Sequence, residues 1–191
     1  MCKFTQKIKV MKNYQYFSLF IIIVTVFLSR LVPHMPNFTA TSAAILFTGV
    51  CFGKWRYFLS IITIYFIADI IINKYLYPYN QYHFSSILFI YLPFFLNFAI
   101  SKFLYREHKI SSLDIVKLSL ISSLTFFIIS NFGVWISDTL YTKNLSGLAL
   151  CYWSAIPFFT YEFIATLFFS IVFFGFATLF NIDKKLAFEL R

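Results

Sequence analysis

Six apolar runs, separated by short polar loops, leave this chain very little choice of fold. Runs of roughly 17–25 apolar residues are the length of a helix that crosses a bilayer. The expected spans are about 14–29, 38–53, 55–72, 82–101, 113–136 and 157–180, within a single transmembrane domain covering 1–191. The expected fold class is therefore all-α, a polytopic membrane protein. The fifth span opens at Ser111/Ser112, which stand before Asp114 as a helix cap. The last apolar run, Leu148–Ile182, is too long for one span. Pro157 is expected to split it into an irregular or short helical lead-in and a full helix of about Pro157–Phe180.

Composition settles the environment. The chain is 60% hydrophobic and only 12% charged, whereas a soluble domain is about a quarter charged. A net charge of +9 would suggest a nucleic-acid partner in a soluble protein. Here the basic residues instead collect in alternate loops. Lys3, Lys7, Lys9 and Lys12, then Lys54 and Arg56, then Lys102, Arg106, Lys109 and Lys117, then Lys184, Lys185 and Arg191 fall on one side. Only Arg30, Lys74 and Lys143 fall on the other. The positive-inside rule then places both termini in the cytoplasm, and no nucleic acid is implied. Tyr75, Tyr77, Tyr79 and Tyr82 lie at the outer interface as aromatic anchors. The basic N-terminus before a short apolar run also fits a signal peptide. Cleavage at the small-residue site Ser42–Ala44 would discard the corner described next, so the segment is read as uncleaved.

That corner is Arg30–Ala44, RLVPHMPNFTATSAA. Pro33 and Pro36 bias the residues before them away from helix, so the first helix ends near Ser29, and Thr39 is the expected N-cap of the second. Polar residues from five elements fall at the same outer depth. They are Arg30, His34 and Asn37 around the corner, Asp69 in span three, and Asn131, Trp135 and Asp138 in span five. Tyr152 and Trp153 lie in the lead-in to span six, with Glu162 below Pro157. Such groups are costly in lipid unless paired or facing water. A shared polar cavity open to the outside is expected, with Arg30, His34, Asn37, Asp69, Asn131, Trp135, Tyr152, Trp153 and Glu162 as substrate-binding candidates. The structural alternatives are a buried Arg30–Asp69 salt bridge, a solvated His34 and an Asn131 bonded to nearby backbone. Pro93 and Asn97 in span four read as a kink and its satisfying partner.

Ala40 and Ala44, and Gly49 and Gly53, have the small-xxx-small spacing that permits close helix approach. They serve internal packing or dock a partner membrane subunit. Cys2, Cys51 and Cys151 have no metal-ligand spacing, and the topology separates Cys151 from the other two. No metal and no cofactor are expected. No phosphate-binding GxxxxGK[ST] loop is present, since Gly53–Lys54 lacks the preceding glycine, so ATP hydrolysis by this chain is not expected.

Three blocks carry a resemblance: RLVPHMPNFTATSAA, SNFGVW at Ser130–Trp135, and GLALCYWSAIPFF at Gly147–Phe159. Over residues 15–180 they resemble the DUF6580 family of six-span bacterial proteins, read as transport proteins. That family in turn looks like the substrate-capture (S) components of energy-coupling factor (ECF) transporters, which take up vitamins and related micronutrients. The resemblance implies an S-component-like bundle in the bacterial inner membrane with both termini cytoplasmic. Ligand would bind under the loop between spans one and two, near Arg30, His34, Asn37, Asp69, Asn131 and Trp135. A membrane coupling subunit with ATPase subunits would then be the partner. The chain departs from the family where relatives carry an acid in the sixth span. Thr166 occupies that place, which leaves the role of that acid unfilled unless Glu162 stands in.

The expectation is a non-enzymatic capture component whose partners are the bilayer and a small-molecule substrate. Trp135 and Trp153 suit a flat, polar, ring-containing ligand; for a corrinoid, Cys151 becomes a soft metal ligand. The alternatives are a structural or assembly subunit without ligand and an intramembrane enzyme built on His34 with Asp69 or Asp138. Topology is checked by labelling. In a background lacking the three native cysteines, His34→Cys is expected to react with an impermeant maleimide in intact cells. Lys54→Cys is expected to react only after permeabilisation, and the reverse pattern inverts the topology.

Overall fold

The computed structural model describes residues 2–76, 84–105 and 110–179. Tyr77, Tyr79 and Tyr82 of the expected aromatic belt lie outside the described residues. So do Arg106, Lys109, Lys184, Lys185 and Arg191. Among the described residues there are six helices and no strand: α1 (Cys2–Leu31), α2 (Thr41–Phe47), α3 (Trp55–Ile71), α4 (Phe84–Tyr105), α5 (Ser112–Ser137) and α6 (Leu145–Leu179). α2 runs on through a π-helical turn, Thr48–Phe52, and α3 through another, Ile72–Leu76. Four segments are long and apolar enough to cross a membrane, namely Trp55–Tyr75, Ile87–Leu104, Ser112–Ser137 and Leu145–Leu179. The chain is a helical membrane protein by that measure.

The second expected span, 38–53, holds α2 and its π turn. Thr41–Phe52 is a shorter apolar helix, about 18 Å long at about 1.5 Å per residue, against a hydrocarbon core of roughly 30 Å. Gly53 ends it. Its φ of 59° is left-handed backbone that a glycine adopts without strain, and its N–H closes the π turn on Thr48 O at 2.9 Å. Every residue from Thr39 to Val50 is buried. α2 touches α3, α4, α5 and α6, while α1 packs chiefly on α3. Phe47, wholly buried, meets Phe52 and Phe174 edge-on at 5.6 and 5.2 Å between ring centres.

Burial of α2 explains the small residues. Ala40 and Ala44 are fully buried, and a Cβ on Gly49 would sit 1.9 Å from Ser101 Oγ and 3.0 Å from Phe98 O. Ala40, Ala44 and Gly49 let neighbouring helices close on α2, and Gly53 makes its turn. All four are inside the chain, so the expectation of a partner-docking stripe at these positions is withdrawn.

Three local expectations are also revised. Ala40, not Thr39, is the N-cap of α2. Its N–H donates to Ser29 Oγ at 3.1 Å, and Thr39 Oγ1 donates to Thr41 Oγ1 at 3.3 Å instead. Pro157 sits inside α6 without ending it, because the turns before it are tied to α5 by Tyr152 Oη, which donates to Ile128 O at 2.6 Å. Asn97 does not satisfy the backbone near Pro93; its Nδ2 donates across to Ser122 O of α5 at 3.2 Å. The start of α5 is as expected. Ser111 and Asp114 form a reciprocal capping box.

α4 and α5 are tightly packed at Gly133, where an added Cβ would fall 2.3 Å from Phe89 Cβ. That atom is anchored to backbone and cannot swing away. Gly133→Ala is expected to destabilise the protein by about 1–3 kcal/mol, read as a lower melting temperature in detergent. Gly175→Ala meets nothing within 4 Å and is expected to be neutral or to gain up to about 1 kcal/mol.

Candidate functional site

The C-terminal ends of α1, α3 and α5 and the N-terminal ends of α2, α4 and α6 meet at one end of the bundle. There the corner between α1 and α2 is held by short bonds. Val32 N–H donates to Leu28 O and Phe38 N–H to Met35 O, both at 3.0 Å. Asn37 takes a left-handed φ of 63°, which asparagine tolerates better than most residues. The connection between α5 and α6 is likewise self-made. Lys143 Nζ donates to the carbonyls of Trp135 and Asp138, and Trp135 Nε1 donates to Thr142 O at 3.0 Å. Asn144 Oδ1 accepts from Gly147 N–H at 2.9 Å.

Between these features lies a cavity of about 520 Å³. α3 contributes Tyr65 and Asp69, with Asn73 from the π turn that follows, and α4 contributes Ile87 and Ile90. Phe126, Ser130, Asn131 and Val134 come from α5, and Cys151, Ser154, Ala155 and Phe158 from α6. Arg30, Asn37 and Tyr141 complete the lining. Tyr65, Asp69 and Asn73 are spaced four apart, so a single helix face carries all three.

At the wall, Arg30 Nη2 forms an ion pair with Asp69 Oδ1. The guanidinium lies over the Tyr65 ring, 4.4 Å from its centre. Asp69 is 4% exposed, so the pair works largely without water, where one partner without the other is expensive. Deeper in the bundle, Glu162 of α6 is buried. It accepts from Ser42 Oγ of α2 at 2.5 Å and from Thr166 Oγ1 at 3.3 Å. Thr166, standing where an acid was expected, thus serves the neighbouring carboxyl.

Of the nine expected binding residues, Arg30, Asn37, Asp69 and Asn131 line the cavity. The other five do not. His34 is exposed on the corner, its Nδ1 3.0 Å from Met35 O. Trp135 holds the α5–α6 connection, Tyr152 ties α6 to α5, and Trp153 is 73% exposed. Glu162 is engaged with α2. Asp69 lines the cavity and His34 does not, and Asp138 accepts from Leu140 N–H at 3.0 Å. Cys151 lines the cavity and points its thiol at Asn131 O, 3.5 Å away. Among the described residues no three His, Cys, Asp or Glu side chains group as a metal site. Tyr65, Asn73, Ser130 and Tyr141 were missed. Helical spacing from Asp69 points to Tyr65 and Asn73, and Ser130 adjoins Asn131.

Fold and cavity together define a helical membrane protein with a polar-lined chamber at one end. The chain belongs to the DUF6580 family, a family of unknown function whose pattern matches residues 11–187. Neither a curated protein nor a solved structure matches it.

Removing one member of the ion pair is expected to cost far more than removing both. Asp69→Ala is expected to lose about 3 kcal/mol or more by strand-free helical melting in detergent. The double variant Arg30→Met with Asp69→Leu is expected to recover most of that loss.

Proposed function

We propose that this protein captures a small, polar, ring-containing solute in the chamber beneath the α1–α2 corner. In this reading it is the substrate-binding component of an ECF-type uptake transporter for a vitamin-like micronutrient. The chamber faces the outside of a bacterial cytoplasmic membrane, and a separate coupling subunit with ATPase subunits drives release.

One observation carries the reading: a chamber of about 520 Å³ with polar and aromatic side chains converging from α1, α3, α5 and α6. Small-molecule sites run from roughly 300 to 1,000 Å³ and combine apolar walls with a few placed polar groups. Asn131, Asn73 and Ser130 supply the polar groups; Tyr65, Phe126 and Phe158 supply ring faces. A second reading, a structural subunit without ligand, draws on the direct Arg30–Asp69 pairing, since two charges that satisfy each other need no third party.

Protein purified in mild detergent, acid-extracted and analysed by mass spectrometry, is expected to release a polar small molecule at near one per chain. Asn131→Leu is expected to retain the fold and lose at least about tenfold in affinity for that molecule, the effect of one buried hydrogen bond or more. No released molecule from the wild type, with unaltered uptake of all vitamins in a deletion strain, favours the structural subunit.

A further inference from the structure

We propose that Glu162 is a proton site. Its carboxyl holds one proton on Oε2 while α2 and α6 are packed together, and gives it to water when they part. This goes beyond solute capture and stands whether or not the chamber takes a ligand.

Position makes a charge on this carboxyl expensive. Glu162 stands at the middle of the 35-residue α6 and is 4% exposed. An ionised group at such depth is costly unless a counter-ion or water meets it. Among the described residues no lysine, arginine or histidine pairs with it. Its partners are two neutral hydroxyls, Ser42 Oγ at 2.5 Å and Thr166 Oγ1 at 3.3 Å. Arg30 of α1 acts on it from beyond ion-pair distance, and that guanidinium is already neutralised in contact with Asp69.

The bonds also distinguish the two oxygens. Both hydroxyls reach Oε1, and neither reaches Oε2. In a neutral carboxyl the carbonyl oxygen accepts through two lone pairs and the other oxygen carries the hydrogen. The pattern is that of the acid, with Oε1 as carbonyl and Oε2 as hydroxyl.

The surrounding ionisable groups do not balance a negative charge here. Tyr65 of α3 also acts on Glu162 and adds like charge when ionised. α2 brings only Cys51, at its far end, and α5 brings Asp114 and the exposed Lys117 near its start. Cys151, Tyr152 and Tyr161 lie on α6 itself. When α2 and α6 separate, water reaches Oε2 and takes its proton. The carboxylate left behind cannot return between the helices without taking one up, since a buried unpaired charge is strongly destabilising. The α2–α6 joint therefore closes in its protonated form.

Infrared difference spectroscopy on the full chain in lipid nanodiscs reads this proton, because a protonated carboxyl has a C=O stretch that a carboxylate lacks. Wild type at neutral pH is expected to show the band. Glu162→Gln, which keeps an acceptor for both hydroxyls, is expected to lack it. Ser42→Ala keeps the carboxyl but removes a donor to Oε1, so the band is expected to move to higher frequency. That shift assigns the band even where Glu162→Gln fails to fold. A folded chain holding a proton that the unfolded chain has released loses stability as pH rises. The melting temperature of wild type is therefore expected to fall more steeply than that of Glu162→Gln as pH rises through and above the range where exposed carboxyls titrate. No protonated-carboxyl band at neutral pH, a band that neither variant changes, or parallel melting curves overturns the inference.

Discussion

The structure depends on a short helix having no surface of its own. α2 and its π turn are enclosed by α3, α4, α5 and α6, and lipid offers no hydrophobic gain for bringing helices together. Close contact must come from shape and from interhelical hydrogen bonds. Ala40, Ala44 and Gly49 supply the shape by removing side-chain bulk where α4 and α6 press in. Ser42 supplies the bond by donating to Glu162. A carboxyl on α6 is thereby engaged by the helix at the centre of the bundle, and a carboxyl left alone at that depth would be costly. α3, α5 and α6, whose ends also wall the chamber, are all in contact with α2.

Much of the fold was legible because apolar run length and capping chemistry are local properties. The Ser111–Asp114 box and the Pro33–Pro36 corner are read directly from neighbouring residues. The failures share a cause. The apolar length of 38–53 does not distinguish a lipid-facing span from a helix buried by its neighbours. Small residues look alike whether they face a partner or the chain's own core. Pro157 is a strong local breaker, yet ties from Tyr152 and Cys151 to α5 keep α6 continuous. Those ties join residues 24 and 20 positions apart, beyond the reach of any periodicity.

The candidate site divides along the same line. Depth alone groups Arg30, Asp69 and Asn131 correctly, because helix ends at one membrane level meet. Depth does not say which way a side chain turns, and Trp153 and Asn131 differ in rotation, not level. Trp135 is at the right depth and rotation for the neighbourhood but is engaged by Thr142 O, a partner in the next connection. Exposure of His34 follows from the corner itself: between two prolines the chain runs outside the bundle.

The polar lining of the chamber is held by bonds within its own helices. Asn73, Ser130 and Asn131 each lean back onto a carbonyl one helical turn earlier, which sets their rotamers. Ordering a free polar side chain costs about 0.5–1.5 kcal/mol; here that ordering is accomplished during folding. The Arg30–Asp69 pair does the same for the opposite wall, joining α1 to α3 and laying the guanidinium over Tyr65. At the corner, Asn37 lines the chamber while remaining exposed. The chamber thus has polar groups fixed on α3, α5 and the turn after α3, with an exposed corner, Val32–Asn37, at its edge.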